Sequence, residues 1–309
     1  MGMIANRVAY GNTVHELAVT DNRVTVVDSD CVNVLNYGKF VQDFPERFFE
    51  CGIAEQDMVS VAAGLASCGM IAFVASFAVF TSMRALDQVR NMVCYNKYNV
   101  KVIGTHAGIE TGFDGATHEA IEDIAIMRSI PNIRVLVPST PIMTAKLTRL
   151  MYETDGPFYM RFGREPNQEY YEEDMEFALG GSKKLRDGER LTIMACGRMV
   201  DYAVQAADIL KKDGIEVRVI DMYSIKPIDG AAIEAAAKET GLILTVEDHS
   251  IIGGLGGAVS EYTAEHCPCR VERMGMMDEF GRSGTYNDLF KLYGLTPENI
   301  VSKVLDLLK

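Results

Sequence analysis

The sequence predicts an α/β protein built from two consecutive parallel sheets, each covered by helices on both faces. Three observations predict it. Short apolar runs suited to buried strands, such as Ile71 to Ala75 and Leu191 to Ala195, alternate with stretches of helical periodicity. The rhythm breaks once, after Arg164, where Glu165 to Glu176 turns polar and acidic around Pro166. The 309 residues are enough for two domains of ordinary size. The reading is a first domain over 1–165, a connector over 166–188 and a second domain over 189–309.

Taken in order, Thr13 to Thr20 reads as a helix and Val24 to Val27 as a strand leading to Asp28-Ser29-Asp30. Cys31 to Asp43 reads as irregular. After a strand at Phe48 to Glu50, the apolar positions Met58, Val61, Ala62 and Leu65 keep helical spacing. Glu55 lies three residues before Met58 and seven before Ala62, which places it on the buried face. A helix dipole alone also favours a Glu in a first turn. Gly69 ends this helix and Ile71 to Ala75 follows as a buried parallel strand, with Phe77 and Phe80 at its carboxyl end. Such ends are where open α/β sheets hold ligands, and an acid beside two aromatics suits a flat, protonatable heterocycle.

A helix from Thr81 to about Asn96 should turn Met83, Leu86, Val89 and Val93 inward. Val100 to Ile103 forms a strand running into Gly104-Thr105-His106. The glycine-rich loop Ala107 to Thr117 then leads to His118, read as opening a helix that stops before Pro131. His106, Asp114 and His118, grouped at a strand end among glycines, are compatible with a metal site or a polyol site; a metal would need a further strong ligand. Ile133 to Val137 is a strand, Thr140-Pro141 opens a helix, and Phe158 to Phe162 is read as the last strand of the first domain. In the second half, strands are expected at Leu191 to Ala195, Val217 to Asp221, Leu242 to Glu247 and Val271 to Met274, with a final helix from Thr296-Pro297. The run I-I-G-G-L-G-G (251–257) lacks the register and downstream acid of a dinucleotide fingerprint, so close helix packing explains it better.

Composition narrows the function classes. With 48% apolar and 24% charged residues the chain reads as a soluble globular protein, and its net charge of −13 argues against nucleic-acid partners. The seven cysteines form no C-x-x-C pair, as expected of buried thiols in a reducing cytoplasm. Cys267 and Cys269 are not spaced for a tetrahedral metal site. Met1 to Tyr10 has no apolar signal region. Met58 to Met83 carries no charge and is long enough to span a bilayer, yet Gly64, Gly69 and Ser76 break it into helix, turn and strand.

G-I-A-E-Q (52–56), A-A-G-L-A (62–66) and S-F-A-V-F (76–80) together resemble the pyrimidine-binding domain of thiamin-diphosphate enzymes, in particular the separate C-terminal subunit of split transketolases. The resemblance extends over nearly all of the chain, the second half being similar to the transketolase C-terminal domain. It implies that Glu55 hydrogen-bonds the cofactor's pyrimidine nitrogen, with Phe80 and Phe77 stacking on the ring and Asp30 near the cofactor. It also implies that His106 and His118 contact the donor sugar, that Asp114 reads the hydroxyl next to its carbonyl, and that Arg164 in R-F-G-R-E-P grips a phosphate, with Arg161 a helper. Two departures stand out: Met83 where relatives often carry an aromatic, and Val34-Leu35-Asn36-Tyr37 where split transketolases carry a Ser-Thr-Lys-Thr-like run.

The family's G-D-G…N-N segment, which holds the diphosphate and its Mg²⁺, is missing from the sequence. The resemblance therefore implies a partner, an N-terminal transketolase subunit, in an α2β2 assembly. The implied activity is transfer of a two-carbon ketol unit from a ketose or ketose phosphate to an aldose or aldose phosphate. The alternatives are a beta-type subunit of a 2-oxo acid dehydrogenase, a deoxyxylulose-phosphate synthase fragment, or a non-catalytic subunit that kept the fold.

Overall fold

The computed structural model describes residues 4–309. Its strands are β1 (Val24–Asp28), β2 (Phe48–Glu50), β3 (Ile71–Phe77), β4 (Val100–Thr105), β5 (Arg134–Leu136), β6 (Phe158–Arg161), β7 (Lys183–Arg186), β8 (Thr192–Ala195), β9 (Arg218–Asp221), β10 (Ser224–Lys226), β11 (Leu242–Ser250) and β12 (Arg270–Met276). The helices are α1 (Asn6–Thr20), α2 (Gly38–Asp43), α3 (Glu55–Ser67), α4 (Asp123–Ser129), α5 (Pro141–Glu153), α6 (Met199–Lys212), α7 (Gly230–Glu239), α8 (Leu255–His266), α9 (Tyr286–Leu292) and α10 (Pro297–Leu307).

They form two mainly parallel sheets, in strand order β10-β5-β6-β4-β3-β1-β2 and β12-β11-β8-β9-β7. Central strands such as β1 and β4 are buried along their whole length, as continuous apolar runs covered on both faces must be. One face of the first sheet packs Val14 and Leu17 of α1 with Met143 and Leu147 of α5. The other packs Met58 and Ala62 of α3, Val89 and Val93, and Ile124 and Met127 of α4. That cluster runs on without a break into Met194, Ile220, Ile233 and Val259, so the two sheets share one apolar core. Helix α5 starts where expected, with Pro141 at its first turn and the Thr140 hydroxyl accepting the Met143 N–H.

The structure corrects several expectations. β10 comes from the second half of the chain yet pairs antiparallel with β5, so the first sheet is neither wholly parallel nor built from the first half alone. Helix α1 starts at Asn6 rather than Thr13, and the stretch read as irregular contains α2. His118 lies in a turn, and α4 begins only at Asp123, because the Gly112 and Gly115 turns carry the chain past it. The segment after β3 is wound as wide π-type turns at Phe80–Arg84 and Gln88–Cys94. That wider winding shifts the inward positions: Thr81, Ser82 and Ala85 are buried and Met83 faces out. β7 falls inside the stretch read as a connector.

Candidate active site

Four strands of the first sheet end side by side, and the candidate residues gather at those ends. β2 leads through a turn at Gly52, whose φ of 66° suits glycine, and delivers Glu55 as the first residue of α3. The Glu50 carboxylate fixes this turn by accepting the N–H groups of Gly52 at 2.7 Å and Asp30 at 3.0 Å. Glu55 is 1% exposed. Arg84 Nη1 donates to its Oε2 at 2.8 Å, and the same guanidinium lies 4.1 Å over the Phe80 ring.

Beside Glu55 the side chains form a platform of flat rings. Phe77 and Phe80 are nearly parallel, with centroids 6.0 Å apart, and the other neighbour of Phe77 is His106, stacked at 4.4 Å and 11°. His118 meets both phenylalanines edge-on at 5.9 and 5.2 Å. His106 follows β4 directly and adopts a left-handed backbone, with φ of 55°. Such strain in a non-glycine residue persists where the surroundings fix it, often at functional sites. Thr105 Oγ1 lies 3.0 Å from His106 Nδ1, and Thr117 Oγ1 lies 2.9 Å from His118 Nδ1. Burial, with the Arg164 and Arg7 cations, pushes the His106 pKa down to about 3, so its ring is neutral and offers one donor and one acceptor.

Charged groups surround the platform. Asp114 Oδ2 lies 3.8 Å from Arg164 Nη1, and both side chains are exposed. Arg7, in the first turn of α1, donates to the carbonyls of Val34 and Arg164. It thus joins Arg164 in setting the field at His106. Asp30 is an exposed turn residue at the end of β1, with φ of 60°. The neighbouring Asp28 is buried, and desolvation lifts its carboxyl to about 7. In the 34–37 loop, Leu35 and Tyr37 are core, Tyr37 donates to the Tyr10 hydroxyl, and Asn36 donates to Asn12. That loop offers no free hydroxyl. Arg161 is buried in an ion pair with Asp123 at 3.1 Å and donates to the Asp248 carbonyl, so it cannot assist Arg164 at a ligand.

Sequence reasoning missed Arg7 and Arg84. Arg7 precedes the position where the helix was expected to start. Arg84 follows Phe80 by four residues, the spacing at which helical side chains meet, and that signal was legible. Also missed was Glu119, next to His118. It is buried with neither carboxylate oxygen hydrogen-bonded, and desolvation with the nearby Asp248 lifts its pKa to about 8. It is therefore predominantly protonated at neutral pH.

The competing sites are weaker. A cavity of about 710 Å³ between α1 and α5 is lined by Glu16, Lys146 and Arg149, whose charges are matched by Arg149–Glu16 and Lys146–Glu176 pairs. The glycine run at the start of α8 holds the chain's own Glu247, which accepts the N–H groups of Leu255 and Gly256. An added Cβ at Gly254 would collide with that carboxylate, so close packing is its role. Among the described residues no group of three or more His, Cys, Asp or Glu could hold a metal, and no helix is long and apolar enough to cross a membrane. The arrangement can therefore bind a flat heterocycle against Phe77, Phe80 and Glu55. Beside it, the neutral His106 ring and His118 offer hydrogen-bond donors and acceptors, and Arg164 and Arg7 supply positive charge.

The family profile described as transketolase, pyrimidine binding domain matches residues 2–168, and that described as transketolase, C-terminal domain matches 180–300. The chain is 45% identical over 306 residues to a putative transketolase C-terminal section of Methanocaldococcus jannaschii, covering 98% of this chain and 96% of that one. It is 42% identical over 308 residues to an apulose-4-phosphate transketolase subunit of Phocaeicola vulgatus, covering 99% and 98%. A solved structure described as a split gene transketolase, inactive beta4 tetramer, superposes with a TM-score of 0.92 at 42% identity, covering 99% of this chain and 98% of that one.

Proposed function

The chain belongs to the transketolase family, as a C-terminal-type subunit, and from that premise we propose how it works. It completes a thiamin-diphosphate site with a second subunit and transfers a two-carbon ketol unit between a ketose phosphate and an aldose phosphate. The observation that carries this reading is the convergence of buried Glu55, the Phe77/Phe80 platform and the neutral His106 at adjoining strand ends. An aminopyrimidine fits this set: a buried carboxyl faces its ring nitrogen and flat rings lie against its face. The diphosphate and Mg²⁺ find no G-D-G…N-N segment here and are assigned to an N-terminal partner subunit, in an α2β2 complex.

When bound, the cofactor supplies an acidic thiazolium carbon as the nucleophile. Glu55 shares a proton with the pyrimidine nitrogen, and so controls the basicity of the neighbouring amino group. His106 and His118 hold the donor's hydroxyls and can pass a proton over hydrogen-bond distance. Asp114 accepts from the hydroxyl next to the carbonyl. Arg164, together with Arg7, balances the charge of a phosphate, a task suited to guanidinium forks. A plain 2-oxo acid would leave His106, His118 and Asp114 without their hydroxyl partners.

The test is a calorimetric titration of thiamin diphosphate with Mg²⁺ into this chain alone and into its mixture with a candidate partner carrying the G-D-G…N-N segment. Binding is expected only in the mixture. Tight binding to the chain alone would overturn the shared site, and turnover of pyruvate in preference to xylulose 5-phosphate would overturn the substrate class.

A further inference from the structure

We propose that Arg84 is a latch on the pyrimidine subsite, competing with the cofactor for Glu55 and for the face of Phe80. The inference rests on the cofactor reading above and goes beyond it. Three observations carry it. The guanidinium donates to Glu55 Oε2 at 2.8 Å, occupying the one carboxylate that a ring nitrogen would address. The same group lies over Phe80, 4.1 Å from the ring centroid, where a heterocycle would stack. Phe77, nearly parallel to Phe80 at 6.0 Å, is itself stacked on His106 at 4.4 Å, so Phe80 is the ring for which an incoming heterocycle and Arg84 would compete.

Both contacts are of a kind that can be given up. The Arg84 side chain is 46% exposed, so its charge remains solvated once it lets go of Glu55. It sits in a segment of wide π-type turns, which recur at functional sites and tolerate local rearrangement. Glu55 is 1% exposed and cannot follow it outward. The exchange is therefore one-sided: Arg84 swings away, and the ring takes over the carboxylate and the Phe80 face. Latched and open chains form a two-state equilibrium, and the fraction open scales the apparent affinity for the cofactor. The device would keep a buried carboxylate paired until the cofactor arrives with the partner subunit.

The test is calorimetric titration of thiamin diphosphate with Mg²⁺ into the two-subunit complex carrying wild-type chain, Arg84→Ala or Arg84→Lys, with thermal melts confirming that each variant is folded. Arg84→Ala should bind roughly 5- to 30-fold tighter, the scale of one cation–π contact plus a half-exposed ion pair. Arg84→Lys, which keeps the charge and loses the flat fork, should fall between. The gap between wild type and Arg84→Ala should narrow when salt rises from about 0.05 to about 0.5 M, since screening weakens the exposed side of the latch. Equal or weaker binding by Arg84→Ala, with wild type binding normally, overturns the latch and leaves the cofactor site standing. Absence of binding in every complex overturns both.

Discussion

The carboxyl ends of the two sheets have the same architecture but differ in how far the protein's own groups take up their polar side chains. At the first, Glu55, Phe77, His106, His118 and Arg164 stand where an incoming molecule can reach most of them. At the second, the corresponding ends are consumed by the protein itself. Arg198 pairs with the buried Glu110 at 2.5 Å, Asp248 accepts the Ile109 N–H at 3.0 Å, and Asp221 accepts hydrogen bonds from Ser139 and Tyr171. Glu247 is taken up by the start of α8. In a parallel sheet the strand ends carry polar groups in either case. Whether they make a site depends on what else in the fold satisfies them. The second edge is thus a mount that holds the 106–114 loop of the first.

The largest effect should come from breaking the mount. Arg198→Ala leaves the Glu110 carboxyl without its guanidinium, and Glu110 is already raised by burial. A loss of about 3–5 kcal/mol of stability is expected from urea denaturation, as for other broken buried pairs. A loss below about 1 kcal/mol would mean that the second edge does not support the loop in this way. Glu55→Gln tests the other edge. It keeps the volume and removes the exchangeable acid, so turnover of the complex should fall about 10²-fold or more, some 2.7 kcal/mol of barrier, with the melting temperature near wild type. Near-normal activity would dismiss Glu55 from the mechanism.

A smaller change should follow from Arg7→Ala: a KM for a phosphorylated donor about 10-fold higher, with kcat nearly unchanged, from the loss of one charge-assisted contact. An unphosphorylated donor should show little difference, and equal effects on both would refute the charge argument. The smallest effect is expected from pH. Glu119 at about 8, and Asp221, Glu247 and Asp248 at about 7, all have folded pKa values above their unfolded ones. Their contribution is complete near pH 4 and is lost as pH rises through 7 to 8. His106 at about 3 and His249 at about 4 are depressed, and their contribution fades as pH falls below 6.5. Between about pH 4.5 and 6.5 the four raised carboxyls outweigh the two depressed imidazoles, so melting temperature should be highest near about pH 4 and decline as pH rises toward about 8. Glu119→Gln should flatten the alkaline limb, and an unchanged limb would exclude Glu119 as its source.

The parallel alternation was legible because buried strands must be apolar throughout, as at Ile71 to Ala75 and Leu191 to Ala195. The position of Glu55 on a buried face followed from its spacing to Met58 and Ala62. What could not be read depends on partners distant in sequence. Ser224-Ile225-Lys226 is too short to carry a period, and only β5 makes it a strand. The π-type winding after Phe80 leaves the composition of an ordinary helix, so Met83 was assigned to the wrong face. Arg161 and Arg164 look alike three residues apart, and only the buried Asp123 separates their roles. Arg7 gained its meaning from Val34 and Arg164, 27 and 157 residues away.

The pairing of β10 with β5 also sets an order of events during synthesis. β6 is complete at Arg161, while the strand that closes the β5 edge ends at Lys226, about 65 residues later. At ordinary ribosomal speeds of about 5–20 residues per second, that edge stays open for roughly 3–13 s in a nascent chain. An open edge of backbone donors and acceptors is an invitation to a neighbouring chain on the same message. Slowing translation between these two points should lengthen the exposure and raise the share of the product that ends in aggregates.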